Sequence, residues 1–495
     1  MNMLLLAAAL FTTTESETWK TTEVEPAAAT DGIVLFDKTS EGRPFLAWGT
    51  TFNELDLDAL RLLKEEEREK ILHDLFAPDG DIRFTRGRLT MNANDYSRAW
   101  YSCSEVDGDF ELKHFNIEHD KTNQIALVKM AMKHQPGLKF FVSPWSPPAW
   151  MKINKDYPVL SSRFNNQPKE KDALLFDGET DAVDPNEMQF AGGRTGRPFP
   201  RRLATRDYFI QEPRYLQSYA DMFVRFIRLY AAEGVTIDRV MYQNEAYSYT
   251  PYPGCAWTAS GTIRFNRDYL APTLKRELPS VKLYIGTFNT NRGSYIDQIL
   301  SAPGMAFDGL GFQWEGRETL PYFAKKFPKA HLVCSESECG NGAMDWKSGE
   351  HTSWLIFENL GNGCDEWYNW NFILCDRGES PWGWRQNALI RVDSKTRTFS
   401  YRPEYYAVKH FAHFIKPGAV QLAYSPWKRE TEAIAYRNPD GTKVVVLTNW
   451  AKDERKVSFV INGNTYALAL KPRSFNTFVA ESAWSGRPAR IDHRL

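Results

Sequence analysis

The sequence predicts an α/β protein in which a (β/α)₈ barrel carries a β-sandwich formed from both termini. First, 495 residues exceed what one hydrophobic core usually organises, so one large domain and one smaller domain are expected. Second, short apolar strands alternate with amphipathic helices from residue 43 to residue 415. Third, the helical period ends near residue 416, and alternating strands joined by turn residues follow to residue 495.

The first 42 residues are expected to combine an export signal with strands of the sandwich. Residues 4–11 form an apolar run with the length of a signal-peptide core, although no basic residue precedes it, and the run is too short to span a bilayer. We interpret it as a shortened export signal, which predicts a secreted or periplasmic protein. Residues 19–36 have strand character and are expected to pair into the sandwich.

Eight strand candidates separated by helical stretches predict the barrel. In a (β/α)₈ barrel the catalytic residues lie at the C-terminal ends of the strands, so residues that end a strand are the first candidates for function. The predicted strands are 45–52, 82–90, 138–145, 237–245, 281–289, 309–314, 331–337 and 366–374, and the predicted helices include 55–75, 122–134, 215–233 and 263–277.

A long insertion, residues 155–213, follows the third predicted strand. It is rich in Pro, Gly and charges of both signs and has no sustained period. Loops of this length in compact domains are either functional or disordered. Its position on the catalytic face favours a loop that shapes the substrate site over a disordered insert.

The C-terminal segment 416–495 predicts two hairpins of a sandwich. Turn residues at 438–441 separate strands 432–437 and 443–448, and turn residues at 462–464 separate strands 457–461 and 465–470.

Composition excludes several classes of function. Lys+Arg 61 against Asp+Glu 62 gives a net charge of −1, which argues against nucleic acid as a partner. The six cysteines lack paired zinc-site spacing, and no later segment has the length of a transmembrane helix. The 16 tryptophans suit stacking on sugar rings, but they suit a large core equally well. We expect no metal or cofactor, and a monomer or weak oligomer.

Two glutamates, Glu245 and Glu336, each stand where an apolar run breaks into polar residues. Two buried strands that end on carboxylates place two acids across one pocket. Glycoside hydrolysis needs this pair, since one carboxyl group protonates the leaving oxygen while the other attacks the anomeric carbon or activates water. Taken alone, either glutamate is equally consistent with a solvated strand end.

Several longer strings support a resemblance that covers most of the chain. The most specific is the run of prolines and tryptophans at 143–152, SPWSPPAWMK. The chain resembles glycoside hydrolase family 30, which includes lysosomal glucosylceramidase, microbial β-1,6-glucanases and xylan-cleaving enzymes, and whose members join a (β/α)₈ barrel to a β-sandwich. The other matching strings are 48–54, 88–97, 243–245, 335–336 and 370–371.

The resemblance implies a role for each site residue. Glu245 would be the general acid/base and Glu336 the nucleophile of a retaining mechanism. Asn244 would bind the sugar 2-hydroxyl, and Arg88 would keep the nucleophile charged. The remaining substrate-binding residues would be Asp95, Trp145, Trp314, Glu315 and Trp370.

Two departures leave questions open. Glu338 competes with Glu336 as nucleophile, because strand alternation would point both side chains to the same side. Position relative to the strand start and the following Gly340 favour Glu336. After strand six the chain has Gln313-Trp314-Glu315 where many members of the family resemble His-Trp-Tyr, so Glu315 is expected to alter hydrogen bonding around the sugar.

The sequence therefore predicts a retaining β-glycoside hydrolase that cleaves a β-linked glucoside or a β-1,6-glucan by double displacement. The alternatives within this fold are a β-xylosidase or endo-xylanase and a β-glycosidase acting on galactan or fucosides. An inverting hydrolase would need a wider carboxyl separation. An alternative of another class is a non-catalytic glycan-binding protein, against which Asn244, Arg88 and both carboxylates argue.

Overall fold

In the computed structural model, the residues described are 8–36, 42–163, 165, 189–190, 199–200, 207–248 and 250–481. The chain divides into two compact units, the first formed by Met1–Leu46 with Phe414–Leu495 and the second by Ala47–His413. The first part of the expected export signal, residues 4–7, and most of the 155–213 insertion lie outside the described residues.

Strands and helices alternate through the second unit, whereas strands predominate in the first. The strands are β1 (Ala8–Thr13), β2 (Lys20–Glu23), β3 (Ile33–Val34), β4 (Ala47–Thr51), β5 (Arg86–Met91), β6 (Lys139–Pro144), β7 (Gln189–Phe190), β8 (Phe199–Pro200), β9 (Ile237–Met241), β10 (Lys282–Phe288), β11 (Gly309–Gln313), β12 (His331–Glu336), β13 (Glu366–Asn369), β14 (Ile373–Cys375), β15 (Ile390–Asp393), β16 (Thr398–Tyr401), β17 (Val420–Lys428), β18 (Thr431–Arg437), β19 (Lys443–Asn449), β20 (Arg455–Ile461), β21 (Asn464–Leu470) and β22 (Ser474–Ala480). The α-helices are α1 (Glu54–Arg61), α2 (Glu65–Phe76), α3 (Glu118–Lys121), α4 (Gln124–His134), α5 (Pro213–Ala232), α6 (Ala259–Arg264), α7 (Ala271–Glu277), α8 (Gly293–Leu300), α9 (Leu320–Lys326), α10 (Trp346–Gly361) and α11 (Pro403–Ala412).

Eight parallel strands close into a barrel in the order β4, β5, β6, β9, β10, β11, β12 and β13, which confirms the predicted fold. Each predicted strand is present with shifted ends, except that the predicted strand 366–374 divides into β13 and β14, and β14 joins a separate sheet with β15 and β16. Strands buried on both faces read as apolar runs, which is why the sequence located them. The barrel centre is filled by Phe141, Met241, Tyr284, Val333 and Tyr368.

Two predicted helices differ in detail. The predicted helix 55–75 is interrupted between α1 and α2, because Lys64 takes an extended conformation and its N–H donates to the Glu67 side chain at 3.0 Å, starting a new helix. The predicted helix 263–277 begins earlier, at α6, where the Thr258 hydroxyl accepts a hydrogen bond from the Gly261 N–H at 2.9 Å. It then passes through one π-helical segment, Phe265–Leu270, before α7.

The first unit is a β-sandwich. One sheet has the order β17, β18, β19, β22, β1, β2, and the second has the order β21, β20, β3. Both predicted hairpins are present, as β18 with β19 and β20 with β21. The shared core contains Val445, Leu447, Val457, Phe459 and Phe478.

Residues 8–11 have a different place from the one expected for them. They were assigned to the export signal, but they belong to β1, which pairs with β22 on one side and β2 on the other. Ala8 and Leu10 are 5% and 9% exposed and pack into the sandwich core. Residues 8–11 are therefore apolar because they belong to a central strand whose alternate side chains, Ala8 and Leu10, are buried.

All six cysteines are free, and five of them are buried. Within the described ranges, no helix has the length and hydropathy needed to cross a bilayer. The same ranges contain no cluster of three or more His, Cys, Asp or Glu side chains suited to a metal ion.

Candidate active site

The two glutamates singled out by the sequence lie at the C-terminal end of the barrel. Glu336 is the last residue of β12, and Glu245 follows β9. Glu245 has a φ of 47°, in the left-handed region that residues other than glycine seldom adopt, and its N–H donates to Thr287 Oγ1 at 3.1 Å. The two glutamates are only 7% and 5% exposed, so burial fixes both side chains within the site.

Arg88, from β5, connects Glu336 with Asn244. Its Nη1 donates to Glu336 Oε2 at 2.6 Å, and its Nη2 donates to Asn244 Oδ1 at 2.7 Å. Both Nε and Nη2 also donate to Ser143 Oγ at 3.1 Å. Nη1 donates to the Ser335 carbonyl oxygen at 3.2 Å as well, and the guanidinium lies 4.4 Å from the centre of the Trp145 ring, so an aromatic face and five hydrogen bonds hold this buried cation.

The electrostatics of the site are dominated by burial. Burial raises the pKa of Glu336, while the Arg88 charge and the Trp314 indole N–H, which donates to Oε1 at 3.2 Å, act to lower it. Burial also raises the pKa of Asp95 well above its ordinary value, and the charges of Glu336 and Glu245 raise it further.

Gln313 is the site residue that sequence reasoning missed. Its Nε2 lies 3.1 Å from Asn244 Oδ1, 3.2 Å from Glu245 Oε1 and 3.4 Å from Glu336 Oε2. One nitrogen thus reaches both carboxylates. The distance between Glu245 Oε1 and Glu336 Oε2 can therefore be no greater than the sum of these two contacts. The only signal in the sequence was the departure of the segment 313–315 from the His-Trp-Tyr pattern.

Tyr252 is a second contact that the sequence did not indicate. Its hydroxyl lies 3.4 Å from Glu245 Oε2, and burial raises its pKa well above the ordinary value. The phenol therefore keeps its proton and donates toward Glu245.

Matches to known domains decide the family. The glycosyl hydrolase family 30 TIM-barrel domain matches residues 46–168 and 210–415, and the family 30 beta sandwich domain matches residues 418–478. The chain belongs to glycosyl hydrolase family 30. It is accordingly a β-glycoside hydrolase with a carbohydrate substrate, and the retaining mechanism is general for this family.

Individual relatives of this family 30 enzyme cover most of its length. Endo-1,6-beta-D-glucanase of Neurospora crassa is 23% identical over 93% of this chain and 87% of its own. Lysosomal acid glucosylceramidase of Mus musculus is 26% identical over 81% of this chain and 74% of its own. The solved structure of the endo-beta1,6-glucanase BT3312 superposes with a TM-score of 0.74 at 22% identity, over 96% of this chain and all of its own, and so shows the same fold.

The structure of the family 30 enzyme separates Glu338 from Glu336. Strand β12 ends at Glu336, so the alternation that would have placed the two side chains on one side does not continue. Glu338 instead pairs with Arg317 and, at 3.1 Å, with His351. Of these two glutamates, Glu336 is the one in contact with Arg88.

The predicted aromatic residues form a packed wall of the site. Trp145 and Trp370 stack with ring centres 5.1 Å apart, and they are 2% and 1% exposed. Arg88 lies against the Trp145 ring as well, so packing within the protein fixes the position of this ring. Trp314 contacts Glu336 directly, whereas Glu315, half-buried in the same 3₁₀ turn, stays a prediction.

Proposed function

We propose that this family 30 enzyme hydrolyses a β-linked glucoside, with a β-1,6-glucan as the first candidate, and that Glu336 is the nucleophile and Glu245 the acid/base. The observation that carries the assignment of roles is the ion pair of Arg88 with Glu336 at 2.6 Å, because a cation beside Glu336 favours the ionised form that a nucleophile needs. One Gln313 nitrogen contacts both carboxylates, so the two groups face one reaction centre, and a retaining enzyme uses such a pair as nucleophile and acid/base. The names of the two relatives support the glucoside, since both refer to glucose-containing substrates.

The first step forms a covalent intermediate. A Glu336 carboxylate oxygen attacks the anomeric carbon, the bond to the leaving oxygen breaks, and Glu245 transfers its proton to that oxygen. Arg88 supports this step because its charge and its hydrogen bond favour the ionised form of Glu336.

The second step releases the sugar. Glu245, now ionised, removes a proton from water, and the oxygen of that water attacks the anomeric carbon and displaces Glu336 as a carboxylate. Two inversions at one carbon return the original β configuration.

Asn244 is positioned to assist both steps. Its Oδ1 accepts hydrogen bonds from Arg88 and Gln313, which fixes the amide so that Nδ2 is the group left to donate. A donor to the sugar 2-hydroxyl strengthens as the oxocarbenium-like transition state forms.

Three matched variants test the catalytic roles. Glu336→Gln and Glu245→Gln are expected to lower kcat on a polysaccharide substrate by roughly 10³-fold or more, since both groups act as one unit. Glu338→Gln is the control, because Glu338 is bound to Arg317 and His351 instead of to Arg88. Near-normal turnover by either of the first two variants would refute the assignment.

The substrate is tested by rates on a panel containing β-1,6-glucan, aryl β-glucosides, xylan with aryl β-xylosides, and aryl galactosides and fucosides. We expect the highest kcat/KM on the glucosides or on β-1,6-glucan. A clear preference for xylan or xylosides would replace the glucoside proposal while leaving the roles of Glu245 and Glu336 intact.

A further inference from the structure

The amide of Gln313 is placed between the two proposed catalytic carboxylates and is itself 1% exposed. We propose that Gln313 is a positioning residue. During the double displacement, one of its amide hydrogens would bond to whichever carboxylate is ionised, first that of Glu336, then that of Glu245, and then that of Glu336 again. This inference rests on the proposed function, since it needs those two residues to exchange charge.

The orientation of the amide follows from its neighbours. All three atoms around Nε2 are acceptors, the oxygens of Glu245 and Glu336 and Asn244 Oδ1, which already accepts from Arg88. On the other side, Ser335 Oγ donates to Gln313 Oε1 at 3.1 Å. A flipped amide would direct its oxygen at three acceptors, so the NH₂ group is fixed toward the carboxylates.

The amide has fewer hydrogens than nearby acceptors, so one of its hydrogen bonds can change partner. An amide NH₂ has two hydrogens, but three acceptors lie between 3.1 and 3.4 Å from this nitrogen. Asn244 Oδ1 is an acceptor throughout the cycle and retains one hydrogen. The second hydrogen goes to whichever carboxylate is ionised, because a hydrogen bond to a charged acceptor is about twice as strong as one to a neutral acceptor.

That carboxylate changes with each step. Before the first step Glu336 is ionised and Glu245 is protonated, so the hydrogen goes to Glu336. In the covalent intermediate Glu336 is an ester and Glu245 is ionised, so the hydrogen goes to Glu245. A small turn of the whole planar amide about its Cγ–Cδ bond thus stabilises both charged states without adding a charge beside Arg88.

An amide is suited to this position because it does not titrate. It donates equally well at every pH and never becomes a second cation, in contrast to an imidazole.

The test uses Gln313→Met, which keeps the length of the side chain and removes both hydrogens. We expect the rates of glycosylation and deglycosylation, separated by pre-steady-state kinetics on an activated aryl β-glucoside, each to fall roughly 10- to 100-fold. KM should change less than kcat. The acidic limb of the kcat/KM profile should move to higher pH, because the lost hydrogen bond favours the ionised form of Glu336.

Two further variants complete the design. Gln124→Met is the matched control, since Gln124 is an equally buried amide that bonds to Phe52 O, Thr90 Oγ1 and the Tyr230 hydroxyl instead of to the carboxylates. Gln313→His supplies one N–H and should restore much of the rate at pH values where the imidazole is neutral.

Three results would overturn the inference. These are an unchanged pH profile for Gln313→Met, a loss equal to that of Gln124→Met, and a loss confined to one of the two steps. If Glu336→Gln and Glu245→Gln are inactive while Gln313→Met behaves as wild type, only this inference fails. If either glutamate variant is active, the proposed function fails, whatever Gln313 does.

Discussion

Arg88 Nη1 lies 2.6 Å from Glu336 Oε2, and the two side chains are 0% and 6% exposed. An ion pair this deeply buried connects the middle of β5 with the C-terminal end of β12. Its net contribution to stability is small, because both charges lose their hydration. Loss of one partner is strongly destabilising, because it leaves the other charge buried and uncompensated.

Arg88→Met is therefore expected to destabilise the barrel by about 3 to 5 kcal/mol and to abolish activity. Arg88→Lys keeps the charge but loses the planar fork that reaches Glu336, Asn244 and Ser143 together, so it should fold better than Arg88→Met and still lose most of kcat. Urea denaturation and initial rates measure the two effects. Arg225→Met, at an exposed position of α5, is the control, and a loss of stability equal to that of Arg88→Met would contradict the argument.

Trp314→Phe isolates the second hydrogen bond of the proposed nucleophile. The indole N–H donates to Glu336 Oε1 at 3.2 Å, and phenylalanine keeps an aromatic ring without that donor. A hydrogen bond to a charged group is worth about 1.5 to 3 kcal/mol, so kcat/KM should fall roughly 10- to 100-fold. Trp427→Phe, at a tryptophan of the sandwich that is 55% exposed, should leave the rate unchanged. Wild-type kcat/KM for Trp314→Phe would show that the contact has no catalytic weight.

The sequence predicted those parts of the structure in which the hydrophobic pattern of a segment matches its burial in the fold. Barrel strands are buried on both faces and read as apolar runs. The sequence therefore predicted both the number of strands and the two glutamates at or just after a strand end, Glu336 and Glu245. Residues 8–11 were assigned differently because an apolar stretch near a chain start has the same composition as a buried strand. Strand alternation could not separate Glu336 from Glu338, since nothing local marks where β12 ends.

Gln313 was missed for a different reason. Its role depends on Glu245, which follows β9, and on Glu336, which ends β12. These two residues are distant in sequence and are brought together only when the barrel closes. A glutamine has no charge and no characteristic spacing, so apart from the departure of the segment 313–315 from the His-Trp-Tyr pattern, nothing along the chain indicates this contact.

Glu404, in the first turn of α11, is expected to make stability depend on pH. It is 3% exposed, and burial raises its pKa to about 8, although its own backbone N–H, the Arg402 charge and the Asn387 side chain act to lower it. Between the ordinary value of 4.5 and about 8 the folded state holds a proton that the unfolded state has released, so stability falls as pH rises through this interval. The loss by pH 8 is on the order of 4 kcal/mol.

Glu404→Gln removes this titration and should therefore be more stable than wild type at pH 8 and no more stable at pH 4.5. The difference between the two proteins isolates Glu404 from other buried carboxyl groups such as Asp95 and Asp56, whose pKa values burial also raises. Denaturation midpoints at both pH values measure it, and Glu66→Gln, at an exposed position of α2, is the control. An equal stability difference between wild type and Glu404→Gln at the two pH values would contradict the prediction.

Lys152 connects the start of the 155–213 insertion with the loop that follows Glu245. Its side chain is fully buried, and Nζ donates to the carbonyl oxygens of Tyr157 at 2.6 Å, Gly254 at 2.7 Å and Pro158 at 3.3 Å. Lys152→Met fills a similar volume but leaves these oxygens without their donor, so it should cost about 3 kcal/mol in unfolding free energy. Because Gly254 follows Glu245 on the same loop, kcat should fall as well. Lys347→Met, at an exposed position of α10, should change neither quantity, and a Lys152→Met protein with wild-type stability would show that these hydrogen bonds do not stabilise the fold.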